Sequence, residues 1–169
     1  MRKAPLRLLI GCVLLFFFDS LPGYPNSRTT SLPVSVNVTT FVSVTSTTLN
    51  FGSLAPGSKG TSSALITVRA SKKTIYHITL DAGLNYQPKT RMMLRQGGTD
   101  TIPYTLWTRD KHPREWGDAH YAATYPYGSS VKAIGNGKDQ VFDVMAKCQL
   151  STLVLPGTYR DIVTITVHY

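Results

Sequence analysis

The side chains of this chain that could do chemistry are few, and their spacing matches no common catalytic or metal-binding pattern. Histidines occur at four separate positions: His77, His112, His120 and His168. His112 and His120 share a long loop, but no H-E-x-x-H or Cys/His spacing accompanies them. Histidines placed in this way are typical of surfaces and loops, so the sequence predicts no metal site.

A small acidic group is the next candidate for chemistry. Asp110, Glu115 and Asp118 lie close in sequence to two tryptophans. A pair of carboxylates could serve a glycosidase. A turn-stabilising aspartate beside a packed tryptophan is the simpler interpretation, and it is the one we adopt.

Nucleophile and phosphate motifs are also missing from the sequence. Gly128-Ser129-Ser130 lacks the G-x-S-x-G pattern of a nucleophile elbow. The stretch GNG at 135–137 lacks the strand and helix that flank a phosphate-binding loop, so we interpret it as a turn. We therefore predict no catalytic residue, no cofactor and no enzymatic activity. An exported hydrolase is a distant alternative.

Residues 1–23 have the organisation of a secretory signal peptide. Three basic residues precede a continuous apolar run over 8–18, and turn-forming residues follow over 19–23. This run is shorter than the roughly 20 residues that a spanning helix needs. The pattern predicts export, cleavage between Ser20 and Asn26, and no stable membrane insertion afterwards.

Export restricts how the protein can be stabilised. Cleavage would remove Cys12 and leave Cys148 as the only cysteine. Exported proteins that need disulfides normally contain them. We therefore expect packing to stabilise this protein, with Cys148 buried or incidental.

The formal net charge of +9 does not come from one dense basic segment. Basic residues are dispersed over the middle of the chain: Lys59, Arg69, Lys72, Lys73, Lys89, Arg91, Arg95, Arg109, Lys111 and Arg114. No basic block is interleaved with aromatic residues as in nucleic-acid-binding proteins, so we predict no nucleic-acid partner.

Short alternating runs separated by Gly, Pro, Asn and Asp predict an all-β sandwich. Threonine, valine and tyrosine dominate these runs, as expected for strands. The predicted strands are 33–38, 41–46, 48–51, 63–69, 74–80, 91–95, 102–108, 140–146 and 158–168. The segment 109–134 is predicted to be a long irregular connection.

The first and last of these alternating runs bear most directly on function. Three valines of one parity, Val34, Val36 and Val38, precede the first strand of the domain. The last strand places three apolar side chains on one face: Val163, Ile165 and Val167. No further strand follows, so we expect the last strand to border an open apolar groove. An uncovered edge of this kind favours association.

Several short motifs, in this order and spacing, resemble those of a known family. They are LNFGSLAPGS at 49–58, YHITLDAG at 76–83, RMMLRQGG at 91–98, IPYTLWTRD at 102–110, WGD at 116–118 and PGTYRDIVTITVHY at 156–169. The sequence resembles the spore coat protein U domain, which also occurs in subunits of archaic chaperone–usher pili. The resemblance extends from about residue 34 to the end.

The resemblance implies an incomplete immunoglobulin-like antiparallel β-sandwich that a donor strand completes. A periplasmic chaperone first fills the groove, and the N-terminal strand of another subunit then replaces it. On this interpretation residues 24–40 are the donor extension, with Val34, Val36 and Val38 inserted into a neighbour. The domain proper is then 41–169, and its acceptor groove lies beside Val163, Ile165 and Val167.

Two departures from the family pattern concern a disulfide and a loop. The positions that often hold a cysteine pair in the family are Val42 and Ala70 here. We predict that these two residues approach each other in the fold. The WGDG motif is altered to Trp116-Gly117-Asp118-Ala119.

The sequence thus favours a secreted structural subunit, assembled by donor-strand exchange into surface pili or a coat for adhesion or biofilm formation. Its partners would be a periplasmic chaperone, an outer-membrane usher and like or related pilus subunits. The alternative is a self-contained secreted binding module for glycans or for cell or spore surfaces. One aromatic group could be core or an exposed binding surface: Tyr104, Trp107, Trp116, Tyr121, Tyr125 and Tyr127.

Overall fold

The structure is a computed structural model that describes residues 28–88, 90–118, 121 and 130–169. The predicted signal peptide lies outside these residues, as do His120, Tyr125 and Tyr127. The chain divides into two units, Met1–Asn37 and Val38–Tyr169. The described part of the first unit, 28–37, contains no strand and is exposed.

The second unit contains all nine strands found among the described residues. They are β1 (Val42–Ser46), β2 (Lys59–Ala70), β3 (Ile75–Leu80), β4 (Arg91–Arg95), β5 (Thr101–Thr108), β6 (Val131–Ile134), β7 (Asp139–Gln149), β8 (Tyr159–Arg160) and β9 (Ile165–His168). The fold is therefore all-β, as the alternating pattern predicts.

The strands form two antiparallel sheets. The larger sheet has the order β1-β2-β7-β5-β4-β8, and the smaller has the order β6-β3-β9. Every strand pairing among the described residues is antiparallel. The long pairing of β2 with β7, from Lys59 opposite Gln149 to Arg69 opposite Asp139, forms the centre of the larger sheet.

The core lies between the inner faces of the two sheets. Ile66 and Val68 of β2 face Tyr76 and Ile78 of β3, and all four side chains are almost fully buried. Alternate residues of each strand point outward and are more exposed, because successive side chains project to opposite faces. This alternation in burial is the physical basis of the sequence pattern.

The structure corrects four details of the predicted strands. Residues 33–38 and 48–51 are not strands, because no backbone pairs with them in a ladder. The run 158–168 is divided into β8 and β9 by an irregular segment over 161–164. Within the connection predicted over 109–134, β6 pairs with the first half of β3.

Candidate functional site

The last strand, β9, lies at an edge of the smaller sheet. It pairs with β3, with Leu80 opposite Ile165 and His77 opposite His168. Its other side has no strand partner among the described residues. An edge of this kind presents backbone N–H and C=O groups that another strand can pair with.

A wide groove lies beside the segment that leads into β9. Its volume is about 1440 Å³, and it is partly open to solvent. One wall is the segment after β1, residues 46–54, and the other is 154–165. The floor is the inner face of the larger sheet, including Ile66, Tyr104 and Val144.

The side chains that line the groove are apolar but incompletely covered. Val163 and Ile165 from one wall, and Leu49 and Phe51 from the other, are only partly buried although they pack against the core. Val167 is also partly buried against the core but lies beyond the groove lining. The groove therefore exposes core-facing apolar surface where a further strand would lie.

A carboxylate network holds one wall of the groove in place. Asp161 accepts a 2.6 Å hydrogen bond from the Tyr104 hydroxyl and two further hydrogen bonds from Asn85. Asp81 accepts hydrogen bonds from the backbone N–H groups of Gly83 and Thr164, both at 2.9 Å. These contacts fix residues 161–164 although they belong to no strand.

Burial and the neighbouring carboxylate both act on Tyr104. Burial raises the pKa of this phenol above its ordinary value, and the hydrogen bond to Asp161 raises the pKa further. The hydroxyl is therefore a donor at neutral pH. Gly83 is required beside this network, because a Cβ there would lie 2.1 Å from Asp161 Oδ2 and its φ is +82°.

Cys148 forms part of the groove floor. It lies opposite Gly60 on β2, where an added Cβ would approach Cys148 Sγ to 2.7 Å. Burial raises the pKa of the thiol, so the thiolate is disfavoured at neutral pH. Cys148 is free and buried, as expected from the sequence, and its position in the floor was not predictable from the sequence.

The model of the Spore Coat Protein U domain family matches residues 28–166. The chain belongs to this family. Among solved structures, a chain of the CsuC–CsuE chaperone–tip adhesion subunit pre-assembly complex, from archaic chaperone–usher Csu pili of Acinetobacter baumannii, is similar to it. That match has a TM-score of 0.55 at 22% identity and covers 78% of this chain but only 40% of the other. No curated protein matches the chain.

This likeness confirms the predicted fold class, an immunoglobulin-like antiparallel sandwich. The Spore Coat Protein U domain motifs occupy defined positions in it. The LNFG motif begins in one groove wall, and the closing motif supplies the other wall and β9. Among the residues described, no helix is long and apolar enough to cross a membrane.

The three valines expected to act as donors are exposed. Val34, Val36 and Val38 leave 88%, 85% and 84% of their surfaces accessible. Residues 28–41 form no strand, so the structure assigns these valines no partner strand. Their role as donors stays a prediction.

Val42 and Ala70 lie opposite each other in the antiparallel pairing of β1 with β2. Ala70 is buried and Val42 is half-buried against the core. Both positions are therefore suited to small apolar side chains. That the pair replaces a family disulfide stays a prediction.

The tryptophan loop of the Spore Coat Protein U domain is a packed corner of the fold. Arg91, one of the basic residues dispersed along the sequence, is fully buried here. It donates hydrogen bonds to the carbonyls of Leu80, Asp81 and Trp116 at 2.7–3.0 Å. Its guanidinium lies 4.1 Å from the centre of the Tyr121 ring.

The acidic group near the tryptophans serves this corner and a neighbouring turn. Glu115 accepts a 2.5 Å hydrogen bond from Tyr121, and its carboxylate lies 4.0 Å from Arg91. Asp110 accepts a hydrogen bond from the backbone N–H of His112 and pairs with Arg114 at 3.6 Å. Both arrangements fit structural roles for these carboxylates.

The histidines of the described residues do not form a metal site. His77 and His168 are opposite each other on β3 and β9, and His168 shares a 3.2 Å hydrogen bond with Thr79. Across the described part of the chain, no three His, Cys, Asp or Glu side chains cluster in a way that could hold a metal ion.

Proposed function

We propose that this protein is an exported structural subunit that donor-strand exchange assembles into a surface fibre. The segment with Val34, Val36 and Val38 would insert into the groove of a neighbouring molecule and pair with the free edge of β9. The observation that carries this proposal is the apolar groove of about 1440 Å³ beside the edge of β9 that has no strand partner among the described residues.

The energetics favour a stable joint. Each valine that moves from water into the groove contributes about 1.5–3 kcal/mol. Each backbone hydrogen bond to β9 adds a net ~1 kcal/mol. Three valines and several hydrogen bonds can therefore offset an association cost of about 4–15 kcal/mol.

The alternating pattern of the segment fits the groove as well. Ser35 and Asn37 separate the valines, so an extended segment presents valines to the groove floor and polar side chains to solvent. On this proposal residues 24–40 are the donor extension, and residues 41–169 are the acceptor domain.

The proposed partners follow from the need to cover the groove. A periplasmic chaperone would occupy it before assembly, an outer-membrane usher would catalyse exchange, and like or related subunits would provide the final donor strand. The structural neighbour named above is a chaperone–subunit pre-assembly complex from chaperone–usher pili, which supports this set. The product would leave the cell through the periplasm, function at the surface in adhesion or biofilm formation, and carry no enzymatic activity.

The proposal can be tested with the native thiol of the groove floor. Three single variants, Val34→Cys, Val36→Cys and Val38→Cys, are expressed with their chaperone and usher, and the surface material is oxidised. Because the valines face the floor, at least one variant is expected to form disulfides with Cys148 of a neighbour. Such links would give a ladder of multimers on a non-reducing gel.

Two matched controls test the predicted side-chain parity. Ser35→Cys and Asn37→Cys place the thiol on the opposite face of the same segment, so neither should form the ladder. A Cys148→Ala change must abolish the ladder of the valine variants. If all five cysteine variants stay monomeric while the protein is folded and secreted, the proposal is wrong and a self-contained binding module is favoured.

A further inference from the structure

The donor segment leaves the domain at one fixed end of the sandwich. Phe41 donates a backbone hydrogen bond to Ser71 Oγ and accepts one from Ser71 N–H, both at 3.0 Å. The turn that contains Ser71 is joined to the turn after β6 by a 2.8 Å hydrogen bond from Lys73 N–H to the Gly135 carbonyl. We call this end, residues 41, 69–75 and 132–139, the proximal end.

The proximal end carries an exposed apolar patch. Phe41, Ile75 and Ile134 leave 56%, 54% and 58% of their surfaces accessible. Ile75 and Ile134 are directly opposite each other where β3 begins and β6 ends, so their side chains lie on the same face. Ile75 and Ile134 form this patch, and Phe41 is a further exposed apolar side chain at the same end. Exposed neighbouring apolar groups indicate a contact surface.

Chain length restricts what can cover this patch. Only Thr39 and Thr40 separate the last valine of the donor segment from Phe41. Two extended residues span about 7 Å at most. If the valines occupy a neighbour's groove, the proximal end must therefore face that same neighbour.

The direction of the donor strand indicates which part of the neighbour the proximal end contacts. Every pairing between strands in the described residues is antiparallel, and a donor that continues this pattern runs antiparallel to β9. The end of the donor then lies where β9 begins. Three exposed apolar residues line the groove near this point: Leu84, Leu155 and Ile162, which are 72%, 47% and 64% accessible. We call these three residues the distal rim.

We propose that the proximal end of each molecule packs against the distal rim of the next copy of this chain, forming a second contact beside the donor strand. The inference rests on the proposed function. Charge favours this head-to-tail arrangement over contact between two proximal ends. The proximal end has five basic residues and one acidic residue: Arg69, Lys72, Lys73, Lys132, Lys138 and Asp139. Two such ends would repel each other.

The contact is testable by paired cysteines in a Cys148→Ala background. The variant Ile134→Cys/Ile162→Cys is expressed with chaperone and usher, and the fibres are oxidised. We expect intermolecular disulfides, because the donor strand holds the two thiols at a high effective concentration. An internal disulfide is excluded, since the six residues of β3 place the thiols about 16–20 Å or more apart.

Two controls define the geometry. Val141→Cys/Ile162→Cys uses a residue with the same 58% exposure on the outer face of the larger sheet, and it should give about tenfold less cross-linked product. Ile134→Cys/Tyr169→Cys tests the opposite donor direction. Cross-links in that variant alone would overturn the proposal.

The Val36→Cys ladder with Cys148, measured in parallel, separates the two proposals. A donor-segment ladder together with the Ile134–Ile162 link supports both proposals. A ladder without that link refutes the end-to-rim contact and leaves donor-strand exchange standing. If no donor-segment variant gives a ladder, the proposed function fails and this inference falls with it.

Discussion

Two regions of the sandwich differ in how completely the inner faces of its two sheets are covered. At the closed corner, formed by Arg91, Glu115, Trp116 and Tyr121, all four residues are buried and joined by hydrogen bonds or ring contacts. At the groove, Val163 and the other wall residues stay only partly covered.

The comparison indicates what the domain lacks. The closed corner shows that the chain can bury even a guanidinium when its Nε and Nη2 groups donate to backbone carbonyls. The groove has a packed floor and two anchored walls, and the free edge of β9. On the proposed function, a single donor strand fills this groove.

The largest effect on stability is expected from a substitution in the closed corner. Arg91→Ala removes the guanidinium beside the buried Glu115 carboxylate and the hydrogen bonds to three carbonyls. The free energy of unfolding should fall by about 3–5 kcal/mol, measured by urea unfolding of the purified full chain. Arg69→Ala, at an exposed position on β2, is the control and should change stability by about 0.5 kcal/mol or less. Equal losses in both variants would refute the structural role of the corner.

A smaller effect, a gain in stability, is expected at the start of β1. Val42→Cys/Ala70→Cys places two thiols opposite each other on paired strands. The resulting disulfide should stabilise the oxidised protein by about 2–4 kcal/mol, seen as a higher Tm that reductant abolishes. Ser43→Cys/Ala70→Cys is the mismatched control, because Ser43 is opposite Arg69 and points to the other face. A bridge in the control but not in the test pair would contradict this register.

The smallest effect on stability is expected at the groove wall that contains Asp161. Tyr104→Phe removes the hydrogen bond to Asp161 and should lower the free energy of unfolding by about 1–3 kcal/mol. It should also weaken donor-segment binding, because residues 161–164 lose an anchor. Tyr76→Phe, which removes a 3.1 Å hydrogen bond to Gln140 away from the groove, should leave donor binding unchanged.

The pH dependence of this variant gives a further check. The raised pKa of Tyr104 means that its contribution is fully present below pH 10.0, the ordinary phenol value, and is lost as pH rises through the higher folded-state pKa. The stability difference between the wild type and Tyr104→Phe should therefore narrow above about pH 10. A difference that widens there would contradict the assigned hydrogen bond.

Much of the fold could be predicted because half-buried strands alternate in sequence. The strands β2, β3, β5 and β7 contain long alternating runs, and all were expected near their observed positions. Strand β6 was missed because four residues next to a glycine turn carry too short a pattern. Residues 48–51 resemble a strand, yet side-chain contacts hold their neighbourhood instead, such as the Ser62 hydroxyl donating to the Asn50 carbonyl.

The site was predictable only in part. The position of the last apolar strand indicated where a groove could lie, and Val163 and Ile165 do line it. The opposite wall over 46–54 and the anchors at Asp81 and Asp161 depend on contacts between residues far apart in sequence, which periodicity does not record. The burial of Arg91 was missed because an arginine at the start of a strand gives no sign that backbone carbonyls will surround it.

The pairing of Val42 with Ala70 also bears on how the subunit matures. With two aliphatic side chains at this position, the first strand is fastened to the second by packing and backbone hydrogen bonds alone. This strand pairing therefore forms without a thiol oxidase, whatever the redox state of the surroundings. On the proposed function, an exported subunit could join these two strands in an oxygen-starved cell as readily as in an aerated one.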